Sequence, residues 1–302
     1  MPSAKRLFLI GAPKCATSSL AEWLGRHSCI KLSRHKEPGF FRTGERRWIP
    51  DANFPDQYRT QAPQTYMSDP TAYENLFGDA DADIWRLDAS TDYFSDLGSA
   101  ARITKVARED DVRIICVIRD PIERLFSEYK HTIRDGIEPL SFRDSIVAEP
   151  ERMAEGYQPL FFHIDRSRYF KHLKRWLHYF GDDLLVLSIN ELEDPQKLMG
   201  KIAEFVGIAH ESLGEIGEEN RSDRDLRCQS KGALKHTKAL AKWLLETARL
   251  RDRSAQMPKL SDKDGDFVFE LLRDDIQACL DDPRIPTSDW PKLYCRTNNR
   301  DK

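Results

Sequence analysis

The chain contains no long apolar run. Nothing approaches 18 consecutive apolar residues in its 302, and charged residues make up 32% of it, so no transmembrane helix is expected. No C-x-x-C pair occurs. The six cysteines (Cys15, Cys29, Cys116, Cys228, Cys279, Cys295) are scattered, and reduced thiols in a cytoplasmic protein are the expectation. No H-x-x-x-H spacing and no Cys/His cluster is present, so no metal site is expected. With a net charge of −3, the chain makes no global case for nucleic-acid binding. Only Met1-Pro2-Ser3-Ala4-Lys5-Arg6 precede the first apolar run, which leaves no room for a signal peptide. Internal repeats and low-complexity tracts are also missing.

What is present begins at Leu7-Phe8-Leu9-Ile10-Gly11-Ala12-Pro13-Lys14-Cys15-Ala16-Thr17-Ser18-Ser19-Leu20. An apolar strand ends at Gly11, a short loop carries one lysine, and a hydroxyl cluster opens an amphipathic stretch. Free backbone N–H groups and a helix dipole meet at such a loop, so it suits an anion. It is not a Walker A loop, which reads G-x-x-x-x-G-K-[ST]. Here Ala16 stands where the second glycine belongs, and Lys14 comes three residues before Thr17. The loop by itself is compatible with several kinds of phosphate site.

Strands are predicted at Leu7–Ile10, Ile84–Leu87, Val112–Ile118 and Leu184–Ile189. The third is almost continuously apolar, as a central parallel strand covered on both faces should be. Helical stripes start at Leu20-Trp23-Leu24, run through Ile122-Leu125-Phe126-Tyr129-Ile133, and recur at Tyr169–Phe180 before Gly181 and at Leu198–Val206 before Gly207. A final helix is expected after Ser261, ending near Trp290. Alternating strands and helices predict an α/β fold: one domain over 1–302 with a mostly parallel central sheet flanked by helices. Residues 38–82 read as an irregular excursion with short helices. Residues 221–253 are basic, with an amphipathic helical centre at 234–250.

The second motif is Arg119-Asp120-Pro121-Ile122-Glu123-Arg124-Leu125-Phe126-Ser127. Asp120 is a natural N-cap, Pro121 fits the first turn, and Glu123 is positioned to complete a capping box. A strand therefore ends at Arg119 and a helix starts at once. This places Arg119 at the carboxyl end of the sheet, where open α/β folds bind ligands. A guanidinium fork and the Ser127 hydroxyl can share one phosphate. The third motif, Lys36-Glu37-Pro38-Gly39-Phe40-Phe41, reads either as a general base or as a surface carboxylate ahead of a buried aromatic pair.

Taken together these segments resemble the sulfotransferases that use 3′-phosphoadenosine-5′-phosphosulfate (PAPS). The first loop is similar to their P-K-x-G-T-[TS]-x-L segment, and R-D-P-x-E-R-x-x-S to their 3′-phosphate motif. Lys36-Glu37-Pro38-Gly39-Phe40-Phe41 is similar to the K-E-x-x-[FY]-F of carbohydrate and bacterial members, and Leu87–Phe94 to E-K-[ST]-P-x-Y-[FL], with Asp88 for glutamate and Ala89 for lysine. The resemblance implies a P-loop NTPase-like fold and in-line transfer of sulfonate from PAPS to a hydroxyl or amine of a small-molecule or carbohydrate acceptor, with no metal required. Glu37 is the implied base. Lys14 and the backbone of Cys15, Ala16, Thr17, Ser18 and Ser19 would face the 5′-phosphosulfate. Arg119 and Ser127 would hold the 3′-phosphate, and Arg221, Lys231 and Gly232 would lie near the cofactor phosphates. A P-loop nucleotide kinase or NTPase is the alternative, and a noncatalytic nucleotide sensor is a third class. The acceptor and the oligomeric state stay open.

Overall fold

The computed structural model describes residues 4–42, 68–217 and 257–290. Five parallel strands form one sheet in the order β2-β3-β1-β4-β5: β1 (Lys5–Gly11), β2 (Ile30–Leu32), β3 (Trp85–Asp88), β4 (Asp111–Ile118) and β5 (Leu184–Ser188). The helices used below are α1 (Thr17–Leu24), α2 (Pro70–Glu74), α3 (Ser99–Val106), α4 (Pro121–Arg134), α5 (Phe142–Val147), α6 (Glu149–Ala154), α7 (Tyr169–Phe180), α8 (Pro195–Val206) and α9 (Asp262–Asp281).

The predicted strands are present, with bounds moved by a residue or two, and β2 is added. β1 extends to Lys5 and Gly11 and β3 to Asp88. Ile84 precedes its strand, Asp111 opens β4, and β5 stops at Ser188, whose hydroxyl and Glu191 build a capping box that starts a 3-10 turn. The last helix ends at Asp281, not near Trp290. Pro283 follows, and a residue before proline is driven out of the helical region; Asp282 has ψ 109. Trp290 is instead buried 6.0 Å from the Tyr169 ring.

The strand pattern follows from burial. β1 and β4 have neighbours on both sides, and Ile114, Ile115, Cys116, Val117 and Ile118 are all inaccessible. Each large apolar side chain so buried contributes about 1.5–3 kcal/mol. The chain leaves β1 toward β2 on one side and later crosses to β4 on the other. The connections thus diverge at the carboxyl ends of β1 and β4, the place where such sheets bind ligands. Gly11 sits there with φ +149, and a Cβ on it would lie 2.7 Å from Phe94 Cβ. Only glycine lets the 90–94 segment approach so closely; Phe94 N donates to Ile10 O at 3.0 Å.

Of the irregular segment 38–82, residues 43–67 lie outside the described residues, as does the basic stretch with its 234–250 helical pattern. The described part of 38–82 holds α2, capped by Asp69. Residues 134–165 fold around α5 and α6, tied by a two-pronged pair from Arg152 to Glu138 at 2.6 and 2.8 Å. Among the described residues no helix is long and apolar enough to cross a membrane.

Candidate active site

Helix α1 starts without a cap. Ala16 occupies the N-cap position in the left-handed region (φ 56), no side chain caps the turn, and the first turn holds no acid. The first intrahelical bond of the turn runs from Leu20 N to Ala16 O, and the amides of Thr17 and Ser18 ahead of it belong to the first turn, which has no intrahelical acceptor for them. The dipole is unopposed, which suits an anion. A left-handed alanine costs roughly 1–2 kcal/mol, and Lys14 has φ 70 as well. Strain of this kind collects where a loop is shaped for binding.

Lys14 is half-buried. Burial, and next the Arg134 cation, bring its ammonium down to about 8. Arg134 Nη2 donates to His131 Nδ1 at 2.6 Å. Burial and then Lys14 push His131 down to about 4, so the ring is neutral near pH 7. Cys15 is fully buried, with Sγ 3.7 Å from Tyr169 OH and 3.8 Å from the Pro13 carbonyl. Its side chain therefore faces the core, and only its backbone is available to a ligand.

A cavity of about 200 Å³ lies against this helix start. Thr17, Ser18, Ala21 and Glu22 line one side, and Ser33, Arg34, Lys36 and Glu37 the other. Glu37 has φ 56 and Gly39 φ 66. Burial first, and then the Asp92 charge, raise the Glu37 carboxyl above the ordinary carboxylate range. Thr91 Oγ1 donates to its Oε1 at 3.2 Å. The Phe40-Phe41 pair anchors the segment: Phe41 is buried edge-on to Phe8 at 5.4 Å, and Phe40 stacks on Tyr73 at 4.4 Å.

Asp120 caps α4, taking the amides of Ile122 (2.8 Å) and Glu123 (3.1 Å). The Glu123 carboxylate, expected to close a capping box, receives Arg119 Nη2 at 2.7 Å. Arg119 Nη1 reaches the Lys14 carbonyl at 3.5 Å, so the first two motifs meet directly. Ser127 is half-buried, two turns along α4. Beneath it Glu128 is fully buried between Arg124 Nη2 (2.8 Å) and Arg166 Nη1 (2.9 Å), and the two guanidiniums hold its carboxyl far below the usual range against burial. Arg166 Nη2 also reaches Asp92 at 2.9 Å, and Asp92 pairs with Arg42.

The structure thus brings Lys14, Cys15, Ala16, Thr17, Ser18, Ser19 and Arg119 to one loop, and Glu37 to the cavity beside it. Arg221, Lys231 and Gly232 lie outside the described residues. Sequence reasoning missed Thr91 as the hydroxyl on Glu37, although its segment was noted. It also missed Arg166, which is 129 positions from Glu37 and carries no local motif.

A family model described as the sulfotransferase domain matches residues 4–263. Mouse heparan sulfate glucosamine 3-O-sulfotransferase 3B1 is 26% identical over 207 residues, a match covering 66% of this chain and 45% of that protein. Human carbohydrate sulfotransferase 15 is 29% identical over 146 residues, covering 40% of this chain and 26% of that protein. The chain spans less than half the length of the curated relatives it matches. The crystal structure of a sulfotransferase from Alicyclobacillus acidocaldarius superposes with a TM-score of 0.62 at 25% identity, covering 83% of this chain and 94% of that one.

Proposed function

Because the chain belongs to the sulfotransferase family, we propose that it transfers sulfonate from PAPS to a carbohydrate hydroxyl. The kinase alternative gives way to the family assignment. One observation carries the reading: a single cavity joins the uncapped start of α1, at Thr17 and Ser18, to the raised carboxyl of Glu37. The anion-binding end and the proton-accepting group face the same space.

The residues fit the donor. The open amides of α1 and the Lys14 ammonium suit the 5′-phosphosulfate, and Arg119 with Ser127 suits the 3′-phosphate. The bound donor supplies an activated sulfonate. Glu37 accepts the proton of the acceptor hydroxyl, which must leave as the new S–O bond forms. Lys14 and the α1 amides stabilise the charge that grows on the departing bridging oxygen. Lys36, exposed at the cavity rim, orients the acceptor. The carbohydrate acceptor is supported by the names of the two curated relatives. A cytoplasmic setting is part of the same reading, supported by the buried free thiols of Cys15, Cys116 and Cys279.

The test uses labelled PAPS with a panel of heparan sulfate oligosaccharides, chondroitin oligosaccharides and simple phenols. Transfer to a saccharide is expected. Lys14→Ala should lower kcat by on the order of 10²–10³, the usual effect of losing one charge-stabilising donor. Glu37→Gln should keep affinity for 3′,5′-adenosine bisphosphate yet lose most transfer. Near-native turnover in either folded variant would remove that residue from the mechanism, and transfer only to phenols would overturn the carbohydrate reading.

A further inference from the structure

The carboxylate of Asp88, at the end of β3, is wholly buried and accepts three hydroxyls. Ser90 Oγ donates to Oδ1 at 2.6 Å, and Tyr73 OH and Tyr93 OH donate to Oδ2 at 2.9 Å each. Each of these three residues in turn holds one of three successive residues of the loop that carries Glu37. Gly39 N donates to Ser90 Oγ at 3.0 Å, and Phe41 N to Tyr93 OH at 3.2 Å. The Tyr73 ring stacks on Phe40, between them, with planes 14° apart. From the same 90–93 segment Thr91 reaches the Glu37 carboxylate itself.

We propose that Asp88 is a positioning residue for Glu37, fixing the loop that aims the base at the acceptor; the inference rests on the reading of Glu37 as that base. The argument is one of hydrogen-bond polarity. Burial raises the Asp88 carboxyl, and the Ser90, Tyr93 and Tyr73 hydroxyls oppose that by favouring the ionised form. The ionised carboxylate only accepts, so Ser90 and Tyr93 must both turn their O–H groups toward Asp88. Their lone pairs then face outward, where the amides of Gly39 and Phe41 need acceptors. One buried charge sets both bonds in a single sense. The loop needs such a hold because Glu37 and Gly39 both have positive φ, a conformation that persists only where the surroundings impose it. Stability alone gives little reason to bury a carboxylate here, since well-packed apolar side chains serve a core at lower cost.

Asp88→Asn tests this with little change in shape. The amide must donate to one of the hydroxyls, whose O–H then loses its acceptor at residue 88 and turns elsewhere, so its lone pairs are no longer held toward the loop. On the best acceptor of the panel, kcat should fall on the order of 10- to 100-fold, the scale of an ångström-size misplacement. Affinity for 3′,5′-adenosine bisphosphate should stay native. Hydrogen exchange should speed up in peptides covering 37–41 and stay native in α4. The double variant Ser90→Ala/Tyr93→Phe should lose a similar factor, and adding Asp88→Asn to it should cost little more. A merely structural role predicts instead additive losses and weakened nucleotide binding. Native kcat or native 37–41 exchange in folded Asp88→Asn overturns the proposal. If Asp88→Asn does not fold, Ser90→Ala and Tyr93→Phe decide alone, and native kcat in both overturns it. Glu37→Gln is measured alongside: an inactive Glu37→Gln with a native Asp88→Asn removes only the positioning role, whereas an active Glu37→Gln removes the base and the proposal with it.

Discussion

Lys14 and Glu37 both hold their charges against burial, and this sets the pH range of the site. The Glu37 carboxyl lies above the ordinary carboxylate range, so the proton-accepting form is lost at a higher pH than for a surface glutamate. Lys14, at about 8, loses its positive charge just above neutrality. The kcat/KM for PAPS reports the free enzyme. It should therefore rise with pH through the raised Glu37 value and fall again around pH 8 as Lys14 deprotonates. In kcat the alkaline fall should move upward, because a bound anion favours the ammonium. Lys14→Arg stays charged across this range and should abolish the alkaline limb of kcat/KM whatever its absolute rate. An unchanged limb in Lys14→Arg would assign that titration elsewhere. The identity of both residues was legible in the sequence because the chemistry is local: one lysine in an anion loop, one glutamate before an aromatic pair. Their pKa directions were not, since they come first from burial in the folded chain and then from Arg134 and Asp92, distant in the sequence.

At the scale of elements, α4 starts just after Arg119 at the carboxyl end of β4, carries Ser127 two turns along, and buries Glu128 between Arg124 and Arg166. Removing one partner of a buried ionic cluster leaves uncompensated charge, at a cost of about 3–5 kcal/mol. Glu128→Gln should thus lower unfolding free energy by about that amount in urea titrations, and a loss below 1 kcal/mol would mean that the guanidiniums find other partners. The Glu128 carboxyl is depressed in the fold. Its stabilisation is accordingly present above the ordinary glutamate pKa and is lost as pH falls through and below it. The start of α4 was legible because Asp120 and Pro121 encode it within two residues. β2 was not, because three residues on a sheet edge, Ile30-Lys31-Leu32, show no period to read. The Glu123 capping box failed for a comparable reason: Arg119, a stronger partner, sits four residues away on the same helix start.

For the whole molecule, a net charge of −3 would repel a nucleotide with several phosphates if charge were spread evenly. It is not: Lys14 and Arg119 meet where β1 and β4 end, Arg119 Nη1 reaching the Lys14 carbonyl, and such local fields rather than net charge govern capture. Parallel strands and their alternation with helices were readable from apolar runs. The order β2-β3-β1-β4-β5, which creates the crevice, was not, because nothing in one strand's sequence names its neighbour. That crevice gives a global readout. A ligand that binds only the folded chain raises its stability by about 2.7 kcal/mol at a hundredfold excess over Kd. At equal concentrations 3′,5′-adenosine bisphosphate should therefore raise Tm more than 5′-AMP, and ATP with magnesium should raise it least. The difference between the first two is the contribution of the 3′-phosphate. Arg119→Ala or Ser127→Ala should erase it while leaving the smaller 5′-AMP shift in place, because the α1 amides and Lys14 remain. Equal shifts by the bisphosphate and 5′-AMP in the native protein would mean that Arg119 and Ser127 hold no phosphate. A larger shift with magnesium ATP would reopen the kinase reading.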